Sequence, residues 1–132
     1  MKVTNGEIFN SRESLQILLG ARLPVLVSLQ VADLVMKLND PFVAIETVRT
    51  VLVNIYGQKQ ESGEMVVVFP GDPLDRPTSP DWEKFVAETK KLMAQTVNLD
   101  VKKVKLPIEI DGKPLQIEPS ILIALDKFID VE

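Results

Sequence analysis

The side chains that most often carry out catalysis are missing from this chain. Its 132 residues include no histidine and no cysteine, so it offers no imidazole for general acid–base catalysis and no thiolate. Its six glycines form neither a phosphate-binding loop nor a nucleophile elbow. The 19 carboxylates are scattered as on a solvated surface, although an enzyme using carboxylates alone is an open alternative. We predict a protein that is not an enzyme and that has no cofactor.

One acidic loop is the best candidate for a metal site. Asp72 and Asp75 lie three residues apart in Gly-Asp-Pro-Leu-Asp. Hard cations such as Ca²⁺ need a longer series of oxygen ligands than this loop supplies. Because Asp and Pro are also favoured in turns, the sequence predicts a turn here and no metal site.

Basic residues are concentrated at a single place. Lys102, Lys103 and Lys105 could bind the phosphates of a nucleotide, or they could protect an exposed strand edge against pairing with another chain. Arg49 lies in the middle of a predicted helix among Val48 and neighbouring apolar residues. It is predicted either to make a bidentate contact or to extend its charged end into solvent.

Two large aromatic residues lie near the ends of predicted elements. Tyr56 precedes Gly57, and Trp82 follows a proline-rich loop. Aromatic residues in such places anchor interfaces or pack in the core. The candidate binding residues from the sequence are thus Arg49, Tyr56, Trp82, Lys102, Lys103 and Lys105.

Composition limits the classes of partner. The net charge of −4 argues against nucleic-acid binding, and no apolar run reaches the length of a membrane span. The first residues lack the apolar stretch of a signal peptide. We expect self-association or a protein partner, keep a nucleotide as an alternative ligand, and place the protein in the cytoplasm or in a virion.

The first 57 residues are predicted to be helical. Thr4 and Glu7 have the spacing of a capping box at the start of a helix over residues 5–19. A second helix over residues 25–38 is apolar on most sides, which predicts a central helix or an oligomer interface; two buried strands are the alternative. Asp40-Pro41 is a strong helix-start signal, so we expect a third helix and an antiparallel hairpin between helices two and three.

The second part of the chain is predicted to be mixed. We expect a strand over 64–69, a loop to residue 80, a helix over 80–95, alternating strands over 97–106 with a bulge at Lys102-Lys103, a hairpin about Asp111-Gly112, and a last helix over 119–128. The predicted fold class is α+β with a small, largely antiparallel sheet. A single domain is expected over residues 1–132, with a helical part at 1–57 and a mixed part at 64–132.

Residues spread along the chain carry a resemblance to a known family. They are Val3-Thr4-Asn5-Gly6-Glu7-Ile8, the helix start Leu23-Pro24, the spacing of Ala32, Leu34 and Leu38, Arg49, Tyr56-Gly57, Val97-Asn98-Leu99 and the segment 117–125. In these features the chain resembles a family of uncharacterised small bacteriophage and prophage proteins. The resemblance implies a phage setting, in the host cytoplasm or the virion, and assigns no active site.

Two functions follow from these observations. The first is a phage protein that acts through protein–protein contacts, such as a component of virion or tail assembly. The alternative is an anti-defence protein that sequesters a nucleotide immune signal or blocks a host defence protein. Arg49, Lys102, Lys103 or Lys105 would then hold the phosphates.

Overall fold

A computed structural model describes residues 1–131 and has the predicted α+β class. The helices are α1 (Asn5–Leu19), α2 (Val25–Tyr56), α3 (Trp82–Ala94) and α4 (Pro119–Ala124). The strands are β1 (Lys2–Thr4), β2 (Gln58–Lys59), β3 (Met65–Val66), β4 (Thr96–Asn98), β5 (Val104–Leu106), β6 (Glu109–Ile110), β7 (Lys113–Pro114) and β8 (Ile129–Val131).

The described strands associate in pairs. β1 with β4, β2 with β3, and β6 with β7 are antiparallel, whereas β5 and β8 are parallel. The hairpin of β6 and β7 turns at Asp111 and Gly112 as predicted, and both residues have positive φ angles, 53° and 75°, as a two-residue hairpin of this type requires. The predicted bulge at Lys102-Lys103 is wrong, because β4 and β5 pair with different strands and belong to different sheets.

The first residues of the chain are fixed by hydrogen bonds. The Met1 ammonium group donates to the carbonyl oxygen of Leu99 at 2.8 Å, and β1 pairs with β4 immediately before that residue. The predicted capping box is present: the Glu7 amide donates to Thr4 Oγ1 at 3.1 Å, and the Thr4 amide donates to Glu7 Oε1 at 2.9 Å. Two free amides at the start of α1 are thereby satisfied, and α1 has its predicted bounds.

The predicted break at Asp40-Pro41 is wrong, because α2 continues through it as one helix of 32 residues. A proline inside a helix costs about 3 kcal/mol. Its neighbours Leu38 and Ile45 are buried in the core, and Phe42 stacks on Phe9 of α1 with ring centroids 5.5 Å apart. Burial on both sides of the proline offsets this local cost.

The antiparallel helical hairpin is formed by different elements from those predicted. α1 lies against the middle of α2, where Phe9 meets Phe42 and Arg12 donates to Asn39 Oδ1 at 3.1 Å. These contacts advance along α1 while they recede along α2, so the two helices are antiparallel. The predicted hairpin between helices two and three is therefore replaced by one between α1 and α2.

The core is a single cluster that takes residues from widely separated parts of the chain. Its buried members lie in β1, α1, α2 and the segment from residue 101 onwards: Val3, Ile8, Leu15, Leu18, Val31, Leu34, Leu38, Ile45, Val101, Val104, Leu106, Ile121, Leu125, Phe128 and Ile129. Phe128 is the largest of the fully buried side chains. The core thus holds α1 and one face of α2 against β5 and the segment 121–129.

The two ends of the proline-rich loop are joined to each other by a reciprocal pair of hydrogen bonds. The Val68 amide donates to the hydroxyl of Ser79 at 2.8 Å, and the Ser79 amide donates to the Val68 carbonyl oxygen at 2.9 Å. Both residues are buried. The predicted helix over 80–95 follows directly as α3, one to two residues shorter at each end.

Candidate interaction site

An exposed row of apolar side chains runs along α2. Its members are Val25, Leu29, Met36 and Val43, which are 82%, 65%, 75% and 50% exposed, together with the partly exposed Ala32. At 3.6 residues per turn they lie on one face of the helix. The buried residues of α2 lie on the opposite face. We call these five residues the apolar row.

This surface is unusual because α2 is apolar on two sides. A surface helix normally has one apolar face, directed to the core, and one polar face. From Val25 to Val43 the row is roughly 27 Å long at 1.5 Å per residue, and Leu26 beside it is also exposed. Val48, Val51 and Ile55 form a second exposed group about a quarter turn round the helix. Exposed apolar surface of this extent is typical of interaction sites.

A groove lies beside the apolar row, between α2 and the segment 100–105. Its volume is about 940 Å³. The lining residues are Leu29, Gln30, Asp33, Leu34, Lys37, Asp100, Val101, Lys102, Lys103, Val104 and Lys105. Leu34, Val101 and Val104 are buried core residues, so the floor of the groove is apolar. We call it the lysine groove.

The charges of the lysine groove are mixed. The structure brings together the three predicted residues Lys102, Lys103 and Lys105, and α2 adds Lys37. Lys37 Nζ lies 3.1 Å from the Asp33 carboxylate, and Lys103 Nζ lies 3.3 Å from Asp130 Oδ1. Because carboxylates already neutralise part of the positive charge, the groove is a moderate rather than a strong anion site.

Arg49 has a different position from the other predicted basic residues. It does not line the lysine groove. Its guanidinium carbon lies 5.7 Å from the centre of the Phe9 ring, and that of Arg12 lies 4.3 Å from the centre of Phe42. Two arginines therefore flank the stacked pair of Phe9 and Phe42, and cation–π attraction helps to hold α1 on α2.

Tyr56 and Trp82 also lie outside the lysine groove. Tyr56 is the half-buried last residue of α2. Trp82 packs edge-to-face on Phe69, with ring centroids 6.1 Å apart, and Phe69 is in turn 6.2 Å from Phe85. This aromatic cluster fixes the end of the proline-rich loop on α3.

The acidic loop contains an intramolecular ion pair. Both oxygens of Asp72 accept from the guanidinium of Arg76 at 3.0 Å, and Oδ2 also accepts from the Arg76 amide at 3.0 Å. The side-chain hydrogen bonds from Arg76, followed by the backbone one, lower the pKa of Asp72 to about 2, and the same contact raises the pKa of Arg76. Asp72 therefore stabilises this turn through its hydrogen bonds with Arg76.

We predict that this pair makes the protein sensitive to acid. The folded-state pKa of Asp72 is depressed below the unfolded value of about 3.9, so its stabilisation is complete above pH 4 and is lost as the pH falls through about 2. Thermal unfolding between pH 2 and 6 should show a smaller acid-induced loss in Asp72→Asn than in the wild type. Asp75→Asn is the control with the same charge change, and acid profiles that coincide for the wild type and Asp72→Asn would contradict the prediction.

Residues 1–131 contain no group of three or more Asp, Glu, His or Cys side chains placed to hold a metal ion. No helix within those residues combines the length and apolar character needed to cross a membrane.

Comparisons of the chain with protein-family models, with curated proteins and with solved structures gave no match. The resemblance to phage and prophage proteins thus stays a prediction. The site must be interpreted from its own residues.

Sequence reasoning missed the wall of the lysine groove that α2 supplies. Gln30, Asp33 and Lys37 are spaced by three and four residues, so they form the polar strip of an otherwise apolar helix. That spacing was a usable signal. What the sequence lacked was the pairing partner, because the segment 100–105 is brought beside α2 only by the tertiary fold.

Proposed function

We propose that this protein is a non-enzymatic phage or prophage protein that acts through protein–protein contacts, and that α2 is its contact surface. The phage setting, with a role in virion or tail assembly, follows from the sequence resemblance. The contact surface follows from one observation, the apolar row exposed along α2. A host-cytoplasmic or virion location belongs to the same proposal.

Burial of the apolar row by a partner is energetically favourable. Fully burying a valine, leucine or methionine side chain is worth about 1.5–3 kcal/mol, so Val25, Leu26, Leu29 and Met36 together supply a contribution comparable to the cost of association, about 4–15 kcal/mol. Left in water, the same side chains stabilise nothing. Charged residues are absent from the row itself and lie at its flank, where Asp33 and Lys37 pair. Interfaces have this arrangement of an apolar centre and a polar rim.

The alternative function, sequestration of a nucleotide signal, draws on the lysine groove. Its support is that Lys102, Lys103 and Lys105 line one groove. The same groove contains the carboxylates of Asp33 and Asp100, which repel phosphate. Blocking a host defence protein would use the apolar row in the same way as assembly does. The geometry therefore supports a protein-binding role better than a nucleotide-binding one.

We predict that one charge in the row abolishes association. Met36→Glu places a carboxylate where the partner's apolar surface would bury it, at a penalty of several kcal/mol. Ile123→Glu is the matched control, because Ile123 is also 75% exposed but lies on α4. Size-exclusion chromatography with light scattering, followed by capture from a phage lysate, should show association for the wild type and Ile123→Glu only.

Circular dichroism checks that both variants keep their helices. The proposal would be wrong if the wild type were monomeric at all concentrations and retained no protein from the lysate. It would be equally wrong if Met36→Glu and Ile123→Glu associated to the same extent as the wild type.

A further inference from the structure

With Asn39 included, the positions of the apolar row are spaced symmetrically about residue 34. Its members Val25, Leu29, Ala32, Met36 and Val43 follow steps of four, three, four and seven residues, and Asn39 divides the last step into three and four. The complete series of steps is therefore four, three, four, three and four. Alternating steps of three and four residues are the spacing of the seam by which one helix pairs with another, and Asn39 is the one polar position in this seam.

We infer that the apolar row of α2 is covered by the same row of a second copy of this chain, with the two helices antiparallel. The inference rests on the proposed protein-binding function and names its partner. In this arrangement Val25 of one copy lies opposite Val43 of the other, and Ala32 lies opposite Met36. The two-fold axis then passes close to residue 34. In a dimer with two-fold symmetry the same surface of both copies is buried, so no copy of the apolar row stays exposed.

The area of the row suits this partner. Four members of the row, Val25, Leu29, Met36 and Val43, and Leu26 beside it each remove on the order of 100 Å² of apolar surface from water when they are buried. Five from each copy give a total of about 1,000 Å², which is the lower limit for a specific interface. A shorter stretch of α2 would fall below that limit.

The charges beside the row favour antiparallel over parallel pairing. Asp33 and Lys37 lie on one flank of the row and are 61% and 47% exposed in their side chains. In an antiparallel pair each flank faces the same flank of the other copy. The two Asp33 carboxylates then come close at the axis, and each also lies within roughly one turn of Lys37 of its own chain and of Lys37 of the second copy. In a parallel pair each flank would face the opposite flank of the other copy, so neither Asp33 nor Lys37 would meet a charged partner from this set. The helix dipoles also favour the antiparallel arrangement.

Cross-linking of introduced cysteines tests the orientation, because the chain has none of its own. Val25→Cys and Val43→Cys are prepared as separate proteins and are treated with a short bifunctional maleimide, alone and as a mixture. Antiparallel pairing gives a cross-linked dimer in the mixture that contains one chain of each kind, and little product from either protein alone. A cross-linked dimer from each protein alone, with none of the mixed product, overturns the inference in favour of parallel pairing.

Two charge variants test the antiparallel register independently. Asp33→Lys and Lys37→Asp each bring like charges together across the axis, so each should raise the dimer dissociation constant about tenfold. Mixing the two proteins restores opposite charges and should return the dissociation constant to near the wild-type value. Equal dissociation constants for the single variants, the mixture and the wild type overturn the antiparallel register.

The outcomes separate this inference from the proposed function. If the wild type is monomeric but binds a lysate protein, and Met36→Glu abolishes that binding, then a second copy does not cover the apolar row. The proposed function stays in place in that case. A monomer without any partner overturns both. If the protein is a dimer and Met36→Glu remains a dimer, the interface lies elsewhere. That result contradicts both the role of the apolar row as the contact surface and the antiparallel pairing.

Discussion

Phe128→Ala should lower the free energy of unfolding by about 3–5 kcal/mol. Phe128 is the largest fully buried side chain, and its backbone carbonyl accepts from the Val104 amide at 2.9 Å, next to the parallel pair of β5 and β8. Truncation removes the transfer free energy of the ring and leaves a cavity between elements that cannot close independently. For a chain of this size the melting temperature should fall by roughly 10–20 °C.

Urea denaturation followed by circular dichroism measures this effect. Ile123→Ala is the control, because it shortens an exposed side chain of the same segment and should change stability by no more than about 0.5 kcal/mol. A loss below about 1 kcal/mol for Phe128→Ala would mean that the segment 121–129 is not part of the core.

Ser79→Ala should lower the free energy of unfolding by about 1–3 kcal/mol. The substitution removes the side-chain oxygen that accepts from the buried Val68 amide at 2.8 Å. The Ser79 amide still donates to the Val68 carbonyl, so half of the reciprocal pair remains. An amide left without a partner in a buried position carries most of the penalty.

Ser11→Ala is the matched control for Ser79→Ala, since both serines are buried. The hydroxyl of Ser11 donates to the Ile8 carbonyl within α1, which is a helical acceptor in any case, so its loss should cost less than about 1 kcal/mol. Trp82 is the only tryptophan, and its amide donates to the Ser79 carbonyl at 3.2 Å. Its emission should shift to longer wavelength in Ser79→Ala alone; equal losses of stability for the two variants would contradict the argument.

The features that were predicted correctly depend on neighbouring residues. The capping box of Thr4 and Glu7 and the turn at Asp111-Gly112 are complete within a few positions, and their geometry was therefore available from the sequence. Asp40-Pro41 is an equally strong local signal, yet burial of Leu38 and Ile45 outweighed it. This burial depends on packing against α1, which no local pattern near residue 40 reveals.

The candidate site also combines features that the sequence predicts with features that depend on tertiary contacts. The cluster of Lys102, Lys103 and Lys105 is visible in the sequence, and the structure places all three in one groove. Their position beside Asp33 and Lys37 follows from a contact between segments about 65 residues apart, which periodicity does not encode. Arg49 could not be separated from this group by residue type, and only its proximity to Phe9 assigns it to helix packing.

The core cluster that joins Val3 to Ile129 has a consequence for biosynthesis. A ribosome adds about 5–20 residues per second, so the first core residue waits roughly 6–25 s for the last one to be made. From the completion of α2 at Tyr56 until the last core residues are made, roughly 4–15 s, the outer apolar face of α2 is uncovered and α1 covers only part of the inner face. A newly made molecule therefore passes through a stage that chaperones can bind. The inner face of α2 is then covered by the later residues of the same chain, and under the proposed function the outer face is covered last, by a partner.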